Sequence, residues 1–521
     1  MFAVATDHEL STGAAVEVLM KGGNAVDAAI AASVALSVVD PYMSGLGGFG
    51  VAIVKRDKVY GLNFVGTAPR ELRAELLTRE DPWEEYRPSF DGPLSVLVPG
   101  SVAGWGELHA KFGTLDWKEV VLPAIRLARG HVVTERIWKF YEGIKGRAGQ
   151  FHANYETFYK DGRFPLPGET LRQPDLASTL ETLADEGWRS FYSGTLAKKT
   201  VEAVREQGGL MDDEDLRNYS PVWVDPIEVS HGNYVVYSLP QGTSGPTVLE
   251  WLNVVEELDP RGDWRSGEFA HLFLEAGKLA LRDDDIWNTG KDYYRVPLDF
   301  LLSRQRAKSL AGKVSNEAKF YPKVGRSVYG EHTTSLSVVD DDVSVTITMT
   351  QMYGFERNGL LRGLGFNLND GACYFSLDPA DKERVEPGQR PRFPLSPVVA
   401  VSEERTVTMG AAGGWTIPQT VTLTLLKSLR FGAAVNDAVN SPRYLMRYRT
   451  NSIPYPPGTE VEVEEGIPSD TINYLRARGH VLARHTPLGG GSFGALNGVE
   501  VRGGRPVPGA DGRRKGSGAV G

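Results

Sequence analysis

Apolar and polar positions alternate over residues 333–350, TTSLSVVDDDVSVTITMT, with the period of two that marks a strand with unlike faces. Val343, Val345, Ile347 and Met349 interleave with Ser344, Thr346, Thr348 and Thr350, and Leu336 and Val338 interleave with Ser335 and Ser337. Taking Asp341-Asp342 as a two-residue turn predicts a hairpin in which Thr333 faces Thr350 and lies diagonal to Thr348. Three threonine hydroxyls then converge at its open end. Threonine is also a good strand former, and an ordinary strand is the plainer reading of this pattern taken alone. Elsewhere the period lengthens. Residues 11–39 read as helical, with Ala14, Val18, Ala25, Ala28 and Ala32 on one small-residue face, and 115–131, 176–187, 196–206 and 246–257 follow the same spacing. Further strands are expected at 50–54, 59–64, 233–238, 397–402 and 405–410. Polar stretches at 140–168 and 311–332 read as surface loops, the second directly ahead of Thr333. No internal repeat interrupts this series.

Composition narrows the classes. A chain of 521 residues, 41% of them hydrophobic, buries a large core. The 57 Lys and Arg are outnumbered by 66 Asp and Glu, and the basic residues are scattered apart from Arg513, Arg514 and Lys515. This speaks against a nucleic-acid groove. The single cysteine, Cys373, excludes an internal disulfide and a multi-cysteine metal site, and reads as a small buried hydrophobe. The nine histidines show neither HxH nor HExxH spacing, so no metal site is expected. No run of about 18 apolar residues spans a membrane, and the opening residues do not resemble an export signal. A cytoplasmic location is expected.

Short motifs then recur in a fixed order: GGNAVDAAIAASVALSVVDPYMSGLGGFG (22–50), VPGSVAGW (98–105), LPAIRLARGHVV (122–133), LPQGTSGP (239–246), EAGKLALRD (275–283), TTSLSVVD (333–340), RPRFPLSP (390–397), MGAAGGW (409–415), NSPRY (440–444) and ARGHVL (477–482). In this series the chain resembles, almost end to end, the γ-glutamyltranspeptidase family of N-terminal-nucleophile hydrolases. The resemblance implies an α+β fold, a four-layer αββα sandwich, formed by one domain over 1–521. It also implies self-cleavage into a large segment, 1–332, and a small one, 333–521, which stay associated.

By that resemblance Thr333 attacks the carbonyl of His332, the ester hydrolyses, and the freed α-amine, with an ordinary pKa of about 8, serves as base to its own hydroxyl. The acyl group of a small-molecule amide then moves to Thr333, and water or an amine removes it. Thr348 orients the nucleophile. Gly413 and Gly414 supply oxyanion N–H groups, since glycines allow close approach of backbone donors. No cofactor is implied, and a homo-oligomer is compatible with the sequence.

The glutamate clamp departs from the family pattern. Ala74 stands where the family has its carboxylate-binding arginine, with Arg73 one residue earlier. Phe393-Pro394 replace a Ser-Ser pair, Cys373-Tyr374 replace an acidic pair, and Thr350 replaces an asparagine. Asn369 and Asp370 are candidates for meeting an amine, and Arg357, Arg362 or Arg392 for meeting a carboxylate. Tyr374 and Phe393 make the pocket more apolar. The expected function is therefore a γ-glutamyltransferase-like amidohydrolase or acyltransferase with γ-glutamyl compounds such as glutathione as default substrates. The alternatives are an amidase of the same fold acting on an oxamate-like, glutaryl or β-lactam amide, and a catalytically silent binding relative. SGLGGFG (44–50) lacks the Lys-Ser/Thr ending of a phosphate loop and reads as a tight turn near the site.

Overall fold

The period-two segments form two stacked antiparallel sheets. The computed structural model describes residues 1–77, 91–144, 157–159, 163–319, 332–446, 460–486 and 493–521. Among the described residues one sheet has seven strands, in spatial order Ser517–Val520, Ala3–Thr6, Thr333–Val339, Ser344–Thr350, Phe49–Lys55, Val59–Phe64 and Val222–Val224. The other has six, in the order Arg505–Gly509, Ala495–Arg502, Arg405–Ala412, Val398–Val401, Tyr234–Ser238 and Ile227–His231. The strand Thr333–Val339 packs across to Arg405–Ala412 and Ala495–Arg502, so the sheets meet face to face behind the threonine hairpin.

Helices cover both outer faces, which completes the four-layer αββα sandwich. Glu9–Met20, Ala25–Val39, Ser101–Phe112, Trp117–Arg129 and Pro174–Glu186 share a core with the outer face of the first sheet. Gly245–Leu258, Gly267–Trp287 and Ile417–Leu429 do the same for the second. All of Ala25–Val39 is buried between the hairpin and the helices Glu9–Met20 and Trp117–Arg129, and its alanines let these neighbours approach closely. Enlarging Ala28 or Ala32 would overpack that seam at a cost of about 1–3 kcal/mol.

Residues 11–39 are not one helix. Gly22, at φ 92°, ends the first, and Gly22 and Gly23 donate back to Leu19 and Val18. Asn24 then caps the second in a reciprocal pair with Asp27. The apolar pattern runs through this break without a change of phase, so periodicity does not reveal it. Short strands at Ala3–Thr6 and Ser517–Val520 also escape it, since four residues of mostly small side chains carry no clear period. The loop expected at 140–168 begins with the end of the helix Glu135–Ile144, and its remainder lies partly outside the described residues, as does 320–331.

Candidate active site

The hairpin has the register that a two-residue turn demands. Asp340 N–H donates to the Val343 carbonyl at 2.9 Å, Thr350 pairs with Thr333, and Thr348 pairs with Ser335. Asp340 fixes the turn: its carboxylate accepts from the N–H groups of Asp342 (2.9 Å) and Val343 (2.7 Å), and from that of Ala25 (2.6 Å) at the start of the buried helix. A carboxylate there satisfies an otherwise orphan helical N–H and suits the positive end of the helix dipole.

Hydroxyls from both sheets meet in the layer between them. The Thr348 and Ser335 hydroxyl oxygens lie 3.2 Å apart, Ser337 and Thr346 2.7 Å, and Thr346 and Thr408 2.7 Å. A Cβ built on Gly410 would stand 2.4 Å from the Ser335 hydroxyl and 2.6 Å from that of Thr348. Thr346 therefore meets Thr408, and Thr348 meets Gly410. The second sheet's strand runs on to Ala412, two residues past Gly410. Gly413 (φ 126°) and Gly414 (φ 60°) follow, turning the chain into Gly414–Thr416 and the helix Ile417–Leu429. Both glycines hold backbone angles that disfavour side chains.

Residues remote in sequence fix the nucleophile strand. Arg514 donates to the Thr333 carbonyl at 2.6 Å. Asp7 accepts from the Thr334 hydroxyl (2.9 Å) and from the Asn497 amide (2.7 Å), and that amide also donates to the Ser335 carbonyl at 2.8 Å. Sequence reasoning missed Ser335, Asp7, Asn497 and Arg514; only Arg514 stood out, as part of a tail charge cluster.

At the hairpin's open end the Thr350 hydroxyl donates to the His332 carbonyl at 2.6 Å and accepts from Met352 N–H at 2.9 Å. Met352 sits at φ 57°, a left-handed conformation that costs a non-glycine residue about 1–3 kcal/mol and recurs at functional sites. Tyr353 N–H then donates to Asp370 at 2.9 Å. Asp370 is fully buried, and burial pushes its carboxyl well above the usual range, with Arg357 opposing the shift. Its hydrogen bond from Tyr353 N–H serves the turn after Thr350. Asn369 is likewise occupied. Its amide donates to the Gly47 (2.8 Å) and Leu97 (2.9 Å) carbonyls, and its oxygen accepts from Leu97 and Gly371 N–H at 3.0 Å. Arg73 points its guanidinium at the carbonyls of Arg70 and Leu72, and no contact among the described residues joins it to the hairpin. Arg392 is buried between Asp284 (2.9 Å) and Asp285 (3.0 Å). The 44–50 turn packs on the site, with Gly48 against the Thr350 carbonyl.

An aromatic wall continues the Thr333–Thr350 rung. Phe49 pairs with Thr350 on the other side, and its ring lies 4.6 Å from Phe393. Phe393 lies 4.1 Å from Tyr374, which lies 6.4 Å from Trp415, directly after Gly414. Cys373 beside them is buried, and burial raises its thiol far above the reactive range.

Among the described residues one cluster offers metal-ligand chemistry: His271, Glu275 and His480, with ligand atoms within 4.8 Å of one another. Protein groups already engage all three side chains. His271 bonds His480 and the Ser315 carbonyl, both at 2.8 Å, and Lys278 places its ammonium 2.5 Å from Glu275. The cluster acts as a clasp between 315–319 and the far C-terminal region, assembled from positions too distant in sequence to form a motif. No helix among the described residues is long and apolar enough to cross a membrane.

The αββα layers, with a threonine opening a central strand, define an N-terminal-nucleophile type of hydrolase. The chain belongs to the gamma-glutamyltranspeptidase family, whose model, described as Gamma-glutamyltranspeptidase, matches residues 11–521. It is 31% identical to a glutathione hydrolase proenzyme of Escherichia coli (strain K12), over 93% of this chain and 86% of that one. It is 29% identical to the acylase ACY 1 proenzyme of Pseudomonas sp. (strain SE83), over 94% and 88%. Among solved structures, the cephalosporin acylase of Bacillus halodurans superposes with a TM-score of 0.89 at 29% identity, covering 99% of this chain and 95% of that one.

Proposed function

We propose that this protein is a self-processing threonine amidohydrolase and acyltransferase that carries the acyl group of a small-molecule amide on the hydroxyl of Thr333. The observation that supports it is the rung Thr333–Thr350 at the end of a buried hairpin, with Thr348 diagonal to the nucleophile. In this reading cleavage after His332 gives the segments 1–332 and 333–521. The freed α-amine of Thr333 takes the proton from its own hydroxyl, Thr348 orients that hydroxyl, and the N–H groups of Gly413 and Gly414 receive the oxyanion.

The relatives are glutathione hydrolase and acylase proenzymes, and γ-glutamyl amides are the default substrates. The wall of Phe49, Phe393, Tyr374 and Trp415 supports a second reading, an acyl group without an amino-acid head, as in a glutaryl or β-lactam side chain. Buried aromatic rings offer apolar area and no charge to pair an amine.

The Thr333→Ala chain tests the nucleophile. It should stay one chain of 57.0 kDa on a denaturing gel, where the wild type divides in two. A small fragment whose N-terminal residue is anything other than Thr333 would refute the assignment.

A further inference from the structure

We propose that Thr350 is the oxyanion donor of the self-cleavage step, a role separate from any contact with substrate. The inference rests on the reading of Thr333 as a self-processing nucleophile and assigns a residue to its first reaction. In that step a bond forms between the Thr333 hydroxyl oxygen and the His332 carbonyl carbon. The His332–Thr333 C–N bond breaks, and the hydroxyl proton ends on the departing nitrogen. Water then cleaves the ester, leaving a carboxylate on His332 and a free hydroxyl and amine on Thr333. Negative charge develops on the His332 carbonyl oxygen in both steps.

That oxygen is the one the Thr350 hydroxyl reaches, at 2.6 Å. The bond is aligned before any reaction. Met352 N–H donates to the Thr350 oxygen at 2.9 Å, which directs the hydroxyl proton toward His332 and polarises it. The positive φ of Met352 and the hydrogen bond from Tyr353 N–H to Asp370 hold the turn that presents this donor. On the other side the His332 ring is boxed by Tyr353 (4.9 Å), Phe140 (5.5 Å) and Tyr42 (6.1 Å), which keeps its carbonyl from swinging away. Preorganised donors of this kind account for rate factors of about 10²–10³. Thr350 is also the position where the family's asparagine is replaced, and an asparagine amide offers the same donor.

The test follows the conversion of full-length chain to two fragments, for wild type and for Thr350→Val, Thr350→Ala, Thr350→Ser and Thr350→Asn, with the melting temperature of each. Val and Ala should slow cleavage about 10²-fold, while Ser and Asn, which keep a donor, should stay within about tenfold of wild type. If Val disturbs packing, the Ala and Ser pair decides, because both are smaller than Thr and only Ser donates. Equal cleavage rates for Ala and Ser overturn the proposal. Wild type that divides as fast as Thr350→Val overturns it while leaving the Thr333 nucleophile intact. Wild type that never divides overturns the parent reading.

Discussion

Gly410 of the second sheet rests directly on Thr348 of the first: a Cβ on Gly410 would stand 2.6 Å from the Thr348 hydroxyl oxygen. The contact sets the spacing between the sheets at the level where the hydroxyls meet. Gly410→Ala should therefore force the sheets apart, destabilising the fold by about 1–3 kcal/mol and lowering turnover with it. Adding Ser335→Ala removes one of the two clashing oxygens and should restore part of the loss, a coupling that thermal melts of the single and double variants measure. Additive losses would place the strain elsewhere.

Thr348 itself pairs with Ser335 at 3.2 Å and is fully buried. Thr348→Val keeps the shape and branching and removes the hydroxyl. Turnover should fall about 10²-fold, the scale of losing an orienting or acid–base group. Stability should fall by only about 1–3 kcal/mol, for the Ser335 hydroxyl left without that partner. The check is kcat on fully cleaved enzyme alongside a melt. Unchanged kcat would reduce Thr348 to a strand residue.

The hairpin was legible in the sequence because its two constraints agree. Period two assigns each residue to a face, and a two-residue acidic turn admits one register, so Thr333 opposite Thr350 followed directly. The motif order likewise gave the layers. What the sequence did not disclose depends on contacts between distant segments. Asp7 and Asn497 bracket Thr334 and Ser335 from opposite ends of the chain. The amide of Asn369 looks free as a residue type, yet four backbone groups use it up. Arg392 looks like a carboxylate ligand, yet two aspartates already hold it. The helix break at Gly22 was hidden because the apolar rhythm resumes in phase on the far side.

Asp370 gives a pH dependence with a defined sign. Burial raises its carboxyl well above the ordinary value of about 3.9. The folded state thus holds the proton more tightly than the unfolded one. The associated stability is fully present below the unfolded pKa and is lost as pH rises through the raised folded value. Asp370→Asn keeps an oxygen to accept from Tyr353 and removes the titration. The melting temperature of the variant relative to wild type should therefore rise as pH increases above about 4, the unfolded carboxyl's value. A difference that stays flat across that series would mean Asp370 does not titrate differently on folding.

Specificity follows from the wall beside the Thr333–Thr350 rung. Phe393 is buried between Phe49 and Tyr374, where the family's clamp has hydroxyl and acidic groups. Of the two candidates for rebuilding that clamp, Asn369 is committed to backbone groups, and Asp370 accepts from Tyr353 N–H while burial raises its carboxyl. A γ-glutamyl anilide and the matching glutaryl anilide differ only in the α-amine. A site built to pair that amine would separate them by about 10⁴ in kcat/KM, because its buried partners would be left unpaired by the glutaryl compound. Here the two should fall within about tenfold, with the glutaryl compound competing well and the γ-glutamyl compound showing a high KM. Phe393→Ser should shift the ratio toward the γ-glutamyl compound, at a stability cost of about 3–5 kcal/mol for the cavity left between Phe49 and Tyr374. A wild-type preference for the γ-glutamyl anilide by several orders of magnitude would show that other groups recognise the amine, and would return the substrate class to γ-glutamyl amides.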